Sequence, residues 1–107
     1  MKKSEKNMKS IYSVSWTDEA IDNLNGVVNY LEQNWSQKEK TNFFQKLEKR
    51  LGIIKQYPEI FPKSQKSNSV CRSVLTEQIT VYYSVENQAI KILSLFDVRQ
   101  DPSKLKV

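Results

Sequence analysis

Two arginines flank the most regular part of this sequence. Arg72 precedes and Arg99 follows a pair of apolar runs, residues 79–85 and 90–96, which are separated by the polar residues 86–88. Alternating runs joined by a short polar segment predict a β-hairpin. If the strands form an antiparallel meander, both arginines could converge on one face or edge of the sheet. Because arginine binds phosphate and carboxylate groups bidentately, this pattern indicates a candidate anion-binding surface.

Other side chains could join the same surface. Lys63 and Lys66 lie in a serine- and proline-containing segment before Arg72. Tyr82 and its neighbour at position 83 point to opposite faces of a strand, so that one belongs to the core and the other is free to be exposed. An exposed Tyr82 near two arginines could stack on a nucleic-acid base. The alternative remains open that the arginines pair with acids at positions 77, 97 or 101 and only complete the sheet.

Several other chemistries are excluded by residue type. The chain has no histidine, which removes imidazole bases, serine–histidine and cysteine–histidine nucleophile systems, and the usual zinc sites. It also has no glycine-rich phosphate loop and no acidic cluster suited to magnesium. We therefore expect no cofactor and no metal. RNA cleavage can proceed without histidine, given a base, an acid and cations for the transition state, but only the cations are evident here.

The length of the chain indicates a single small domain. Its uneven positive charge indicates either an anionic partner or a surface that keeps the protein in solution. The chain has 107 residues and a formal net charge of +5. Residues 10–35 carry four acids and no base, whereas residues 36–72 carry nine bases and three acids. We expect residues 1–9 to be a flexible basic arm and residues 10–107 to be the domain. One unpaired cysteine, Cys71, and the lack of a long apolar run predict a cytoplasmic protein without a membrane span.

Periodicity places these residues in an α+β fold. Alternation predicts a strand at residues 11–16, and Thr17 is a suitable N-cap for an amphipathic helix that continues to Trp35. The Ser36–Glu39 capping box begins a second helix, which ends before Pro58. The short connection between the helices predicts an antiparallel helical hairpin.

Three strands complete the predicted order β-α-α-β-β-β. They are expected at residues 70–75, 79–85 and 90–96, as an antiparallel meander in one sheet that carries the helices. In the last strand, strict alternation would place Phe96 on the face of Ile90 and Ile92, with Leu93 and Leu95 opposite. Because both faces of that strand are apolar, we expect it to be central in the sheet.

With these elements in place, the sequence resembles the RelE/ParE superfamily, the toxins of bacterial type II toxin–antitoxin modules. The resemblance covers residues 10–105 and rests on YSVSWTDEAIDNLNGVVNYLEQNW, YPEIFP, RSVLTEQITVYYSV and IKILSLFDVRQDPSKL. Its most specific parts are W-T-x-x-A at residues 16–20 and F-D-x-R-x-D-P at residues 96–102. It implies the fold predicted above and a cognate antitoxin, acidic and partly disordered, that covers the functional face. The resemblance also implies that DNA is contacted only indirectly, through the antitoxin.

Two activities occur in that superfamily. RelE-like members cleave mRNA on the ribosome, and the resemblance assigns Arg72 and Arg99 to their strand arginines, with Lys63 and Lys66 as looser equivalents. Where the RelE-like branch has a C-terminal tyrosine or histidine, this chain has residues 103–105, Ser-Lys-Leu. The resemblance therefore favours a ParE-like toxin that binds a target such as DNA gyrase. The alternatives are a metal-independent, ribosome-dependent endoribonuclease using Arg72 and Arg99, and a non-toxic module retained for antitoxin binding.

Overall fold

The computed structural model describes residues 12–100 and 102–105, so the predicted arm at residues 1–9 lies outside it. Strand β1 is Ser13–Trp16, and helices α1 and α2 are Asp18–Asn34 and Gln37–Gln56. Strands β2, β3 and β4 are Val70–Val74, Ile79–Glu86 and Ala89–Asp97, and a single 3₁₀ turn covers Pro102–Lys104. The predicted α+β order is confirmed. None of the helices in the described ranges is long and apolar enough to cross a membrane.

Both helices begin as their capping residues predict. The Thr17 hydroxyl accepts a hydrogen bond from the Ala20 amide at 3.1 Å, which satisfies a free donor of the first turn of α1. In α2 the capping box is complete, because the Ser36 hydroxyl accepts from the Glu39 amide while the Glu39 carboxylate accepts from the Ser36 amide. Only Trp35 and Ser36 separate the two helices, which fold back on each other as a hairpin.

The sheet is mixed, with two antiparallel strand pairs and one parallel pair. Its strand order is β1-β4-β3-β2, and the β2-β3-β4 meander is antiparallel as predicted. Strand β1, however, pairs in parallel with β4, from Ser13 opposite Ala89 to Trp16 opposite Ile92. The sequence pattern identifies strands but carries no information on which distant strand is a partner. β4 is thereby flanked on both sides, as its apolar character predicts.

A β-bulge changes which residues of β4 face the helices. Tyr82 pairs with Ser94 and Tyr83 with Ile92, so one extra residue is inserted in β4. As a result Leu95 packs in the helix-facing core, whereas Phe96 packs with Leu93 on the other face. The expectation that Phe96 shares a face with Ile90 and Ile92 is wrong, because strict alternation does not continue through a bulge.

The main core lies between the helical hairpin and one face of the sheet. Tyr83, Ile90, Ile92 and Val81 are fully buried there, and the helices contribute Ala20, Leu31, Phe43, Leu47 and Ile54. A smaller cluster lies on the opposite face, which we call the open face. It consists of Val70, Tyr82 and Phe96, with Leu93 and Leu105 packed against them. The sheet thus separates two surfaces on which the candidate site residues are distributed.

Candidate functional site

Arg72 lies on the open face, in the edge strand β2. It pairs across the sheet with Tyr82, so the two side chains share that face. The Arg72 side chain is half-buried, and its Nε atom is enclosed without a hydrogen-bond partner in the described part of the chain. A guanidinium N–H that is withdrawn from water without an acceptor is costly. Arg72 is therefore the described cation best suited to receive an anionic group from outside the chain.

Tyr82 is not available for stacking in the way that we expected. Its side chain is only 8% exposed, because Leu93, Phe96 and Leu105 pack around it. Tyr83 is buried on the other face, where its hydroxyl donates to the Pro58 carbonyl at 2.6 Å. Both tyrosines therefore serve as core residues in this conformation, one in each apolar cluster.

Arg99 lies at the helix-facing side of the sheet. Its Nε donates to Oδ1 of Asp97 at 2.9 Å and its Nη2 donates to Oδ2 at 2.6 Å. The guanidinium also stands over the Tyr30 ring of α1, 5.6 Å from the ring centroid. Hydrogen bonding to Arg99 holds the pKa of the Asp97 carboxyl below its usual range, although partial burial opposes this. Arg99 is thus oriented by Asp97, as one of the two interpretations of the sequence predicts.

The expected common patch of Arg72 and Arg99 is not formed. Arg72 faces the small cluster around Tyr82, whereas Arg99 turns toward α1 on the other side of the sheet. The reason is local: after β4 the chain bends at the 97–100 turn, which is fixed by the Gln100 amide donating to the Asp97 carbonyl at 2.9 Å. In this conformation the two guanidinium groups therefore belong to different surroundings and do not form one patch.

The two loop lysines also diverge. Lys63 forms an isolated β-bridge with Cys71, and its Nζ lies 3.7 Å from the Cys71 sulfur at the edge of the main core. Lys66 donates from Nζ to the Leu105 carbonyl at 2.6 Å. This bond holds the C-terminal segment near the open face, where the Leu105 side chain helps to cover Tyr82. Of the two, only Lys66 lies in the vicinity of the open face.

Arg50 and Asn23 have structural roles that the sequence analysis did not identify. Arg50 on α2 donates to the Ser73 hydroxyl at 2.7 Å and to the Val74 carbonyl, which ties the helix to the edge strand β2. Asn23 on α1 accepts at Oδ1 from the Ser94 hydroxyl and the Leu95 amide, both at 3.1 Å. No local pattern distinguishes either residue from other polar residues on a helix surface.

A groove runs along α1 where the helical hairpin meets the rim of the sheet; we call it the α1 groove. It consists of two adjoining depressions of about 290 and 410 Å³. Trp35, Phe43, Thr76 and Gln78 line both depressions. Arg99 and Tyr30 contribute to one wall. No group of three or more potential metal ligands occurs within residues 12–100 and 102–105.

Comparison with solved structures shows the same fold in toxin–antitoxin proteins. The "Chromosomal ParDE TA system from P. aeruginosa" contains a chain with a TM-score of 0.68 and 14% identity, covering 83% of this chain and 98% of that chain. "The structure of YoeB dimer from Staphylococcus aureus" gives a TM-score of 0.54 and 19% identity, covering 79% and 94%. The YoeB–YefM complex from the same organism gives the same values.

The family follows from the sequence itself. No curated protein matches the chain. The sequence model of the family described as "ParE toxin of type II toxin-antitoxin system, parDE" matches residues 14–102, which includes both helices and all of the described strands except Ser13, the first residue of β1. The helical hairpin and the meander that positions Arg72 and Arg99 therefore fall inside the matched region, and this chain belongs to the ParE toxin family of type II toxin–antitoxin systems.

Proposed function

We propose that this toxin inhibits growth by binding an essential protein target in the manner of ParE, with DNA gyrase as the first target to test. A cognate antitoxin neutralises it by covering the binding surface. The proposal places the protein in the cytoplasm, where gyrase and its DNA are found. It assigns no cofactor and no chemical step to the chain.

The distribution of the candidate residues is the observation that carries this proposal. Cleavage of RNA at neutral pH requires a base, an acid and positive charge within hydrogen-bond reach of one phosphate. Arg72 and Arg99 lie on opposite sides of the sheet, and Tyr82 is packed against Leu105. A binding toxin has no such requirement, since separate contacts on one protein surface can act independently.

Exposed apolar side chains near the end of α2 provide a second argument for protein docking. Tyr57 is 56% exposed and Ile60 is 61% exposed, and both line a shallow depression together with Tyr12. Ile53, one turn before Tyr57 on α2, is 41% exposed. Aromatic and aliphatic side chains that stand out from the surface are typical anchors of protein interfaces. On this proposal Arg72 supplies a separate contact to an acidic group of a partner.

The test combines unopposed expression in cells with an assay of purified gyrase. We expect growth arrest with intact transcripts, and inhibition of supercoiling by the purified chain. Replacing Tyr57 and Ile60 by alanine should weaken inhibition at least about tenfold, as expected for interface anchors. Val74→Ala is the matched control, because Val74 is 56% exposed, lies on β2 and does not line this depression.

Each alternative has a distinct outcome in the same experiment. Transcripts cut within codons, with the cutting abolished by Arg72→Ala or Arg99→Ala, would replace the proposal with ribosome-dependent RNA cleavage. Unchanged supercoiling together with arrested growth would exclude gyrase as the target. Normal growth during unopposed expression would identify the chain as a non-toxic module that binds an antitoxin.

A further inference from the structure

The α1 groove contains a glycine that the folded chain does not itself require. A Cβ atom added to Gly26 would meet no described atom within 4 Å, although Gly26 lies in the middle of α1 and lines the groove. Glycine is unfavourable within a helix relative to alanine, because it loses more backbone freedom on folding. Its usual advantage on a helix surface is that a second backbone can approach closely. The groove therefore has the form expected of a helix-crossing site that is unoccupied by the chain itself.

The charges around Gly26 are arranged with opposite signs on either side of it. Asp22, four residues before Gly26, lines the groove, and its carboxylate makes no hydrogen bond or ion pair with residues 12–100 or 102–105. Tyr30, four residues after Gly26, carries the Arg99 guanidinium over its ring. Four residues of helix correspond to about 6 Å along the axis, so Asp22 and Tyr30 lie at equal axial distances on either side of Gly26, and Arg99 stands over the Tyr30 ring.

When two α1 helices lie antiparallel, the acidic end of this stripe on one copy faces the arginine end of the same stripe on the other. We propose that two copies of this chain associate through the α1 groove, with their α1 helices antiparallel and crossing at Gly26. Asp22 of each copy then lies opposite Tyr30 and next to Arg99 of the partner subunit, which forms the same ion pair twice about a two-fold axis. The exposed side chain of Tyr30, 42% accessible, is covered by the same association.

A second copy accounts for the equal spacing of the groove residues along α1, whereas an unrelated occupant of the groove would not require that spacing. A two-fold interface must be complementary to its own inversion, and Asp22, Gly26 and Tyr30 meet this condition by their equal spacing on one helix stripe. Arg99 retains its Asp97 partner in the dimer, since that carboxylate takes only one N–H from Nε and one from Nη2, and a guanidinium has further N–H donors for a second acid.

Paired glycine variants provide the first experiment. Gly26→Ala and Gly52→Ala both add a methyl group into open space on a helix, but only Gly26 lines the groove. In the dilute monomer each variant should raise Tm by about 3–4 °C. Sedimentation equilibrium of the full chain, made by cell-free synthesis, should show a reversible monomer–dimer equilibrium over about a hundredfold range of concentration. Gly26→Ala should weaken it at least about tenfold, whereas Gly52→Ala should leave it unchanged.

Charge reversal provides the second experiment. Asp22→Arg and Arg99→Asp should each weaken dimerisation, because each places like charges across the two-fold axis. The double variant should restore it, because the ion pair is re-formed with its signs exchanged. A purely structural role of Arg99 would not produce this rescue.

The readout is molecular mass, so it is independent of gyrase inhibition and of toxicity. A chain that stays monomeric over the whole concentration range would overturn the proposal and leave the groove to a different polypeptide. Equal dimerisation of the Gly26→Ala and Gly52→Ala variants would overturn the crossing at Gly26. Failure of the double charge variant to recover would overturn the assigned ion pair.

Discussion

Asn23→Ala should destabilise the fold by removing the contact that fixes the β-bulge to α1. The Asn23 side-chain oxygen accepts from the Ser94 hydroxyl and from the Leu95 amide, each at 3.1 Å, and the two donor residues are 6% and 3% exposed. A buried backbone N–H left without an acceptor costs about 1–3 kcal/mol, and the lost hydroxyl bond contributes about 0.5–1.5 kcal/mol. The free energy of unfolding should therefore fall by roughly 2–4 kcal/mol.

Urea denaturation and thermal melting measure this loss. At about 4 °C per kcal/mol for a domain of this size, Tm should fall by roughly 8–16 °C. Asn23→Asp is the matched control, because it keeps an acceptor oxygen at the same position and should lose much less stability than the alanine variant. Ser94→Ala removes one donor only and should cost about 1 kcal/mol. An Asn23→Ala variant within about 0.5 kcal/mol of the wild type would refute the reasoning, since that is the range of ordinary surface substitutions.

Two further predictions concern the buried tyrosine and the oriented arginine. Burial, followed by the interaction with the neighbouring Cys71 side chain, raises the pKa of Tyr83 above its ordinary value, so its hydroxyl stays protonated as the donor to Pro58. Tyr83→Phe should lower the free energy of unfolding in urea by about 1–3 kcal/mol, whereas Tyr82→Phe, whose hydroxyl has no such bond to residues 12–100 or 102–105, should stay within about 0.5 kcal/mol of the wild type; equal losses would contradict this assignment. Because Arg99 lowers the pKa of Asp97 in the folded state, that stabilisation is present above the ordinary carboxyl pKa and lost as the pH falls below it. Asp97→Asn should thus lower Tm at about pH 7 and have little effect at about pH 2, and an equal decrease at both pH values would contradict the ion pair.

The helix boundaries could be predicted from the sequence because their causes are local. Thr17 and Ser36 satisfy the free amide groups of the first helical turns through contacts three residues away. The hairpin turn is equally local: β3 and β4 are joined at Asn87, whose φ of 58° is tolerated by asparagine better than by most residues. Each of these signals depends on a few consecutive residues and is readable without the fold.

The bulge and the parallel strand pair could not be predicted in this way. The extra residue of β4 is held by Asn23, which is more than seventy residues away in the sequence. The pairing of β1 with β4 likewise depends on where the helical hairpin returns the chain. Both features result from long-range packing, to which periodicity within one segment is insensitive.

In the candidate site, too, some features could be predicted from the sequence and others depended on the fold. The residue types predicted that Arg99 could be oriented by an adjacent acid, and the bonds to Asp97 confirm this. They could not predict which side of the sheet each arginine occupies. Arg72 is placed by its register with Tyr82, and Arg99 by the turn that carries it to Tyr30.

The sequence by itself therefore determined the order of the elements, the ends of the helices and the membership of a toxin family, because these depend on local hydrogen bonding, periodicity and short motifs. Only the tertiary structure decided that the two arginines lie apart and that Tyr82 is covered by the C-terminal segment. It also revealed a self-complementary groove around Gly26. The physical reason is that the direction of a side chain depends on strand register, bulges and packing partners, which are set when distant segments of the chain come together.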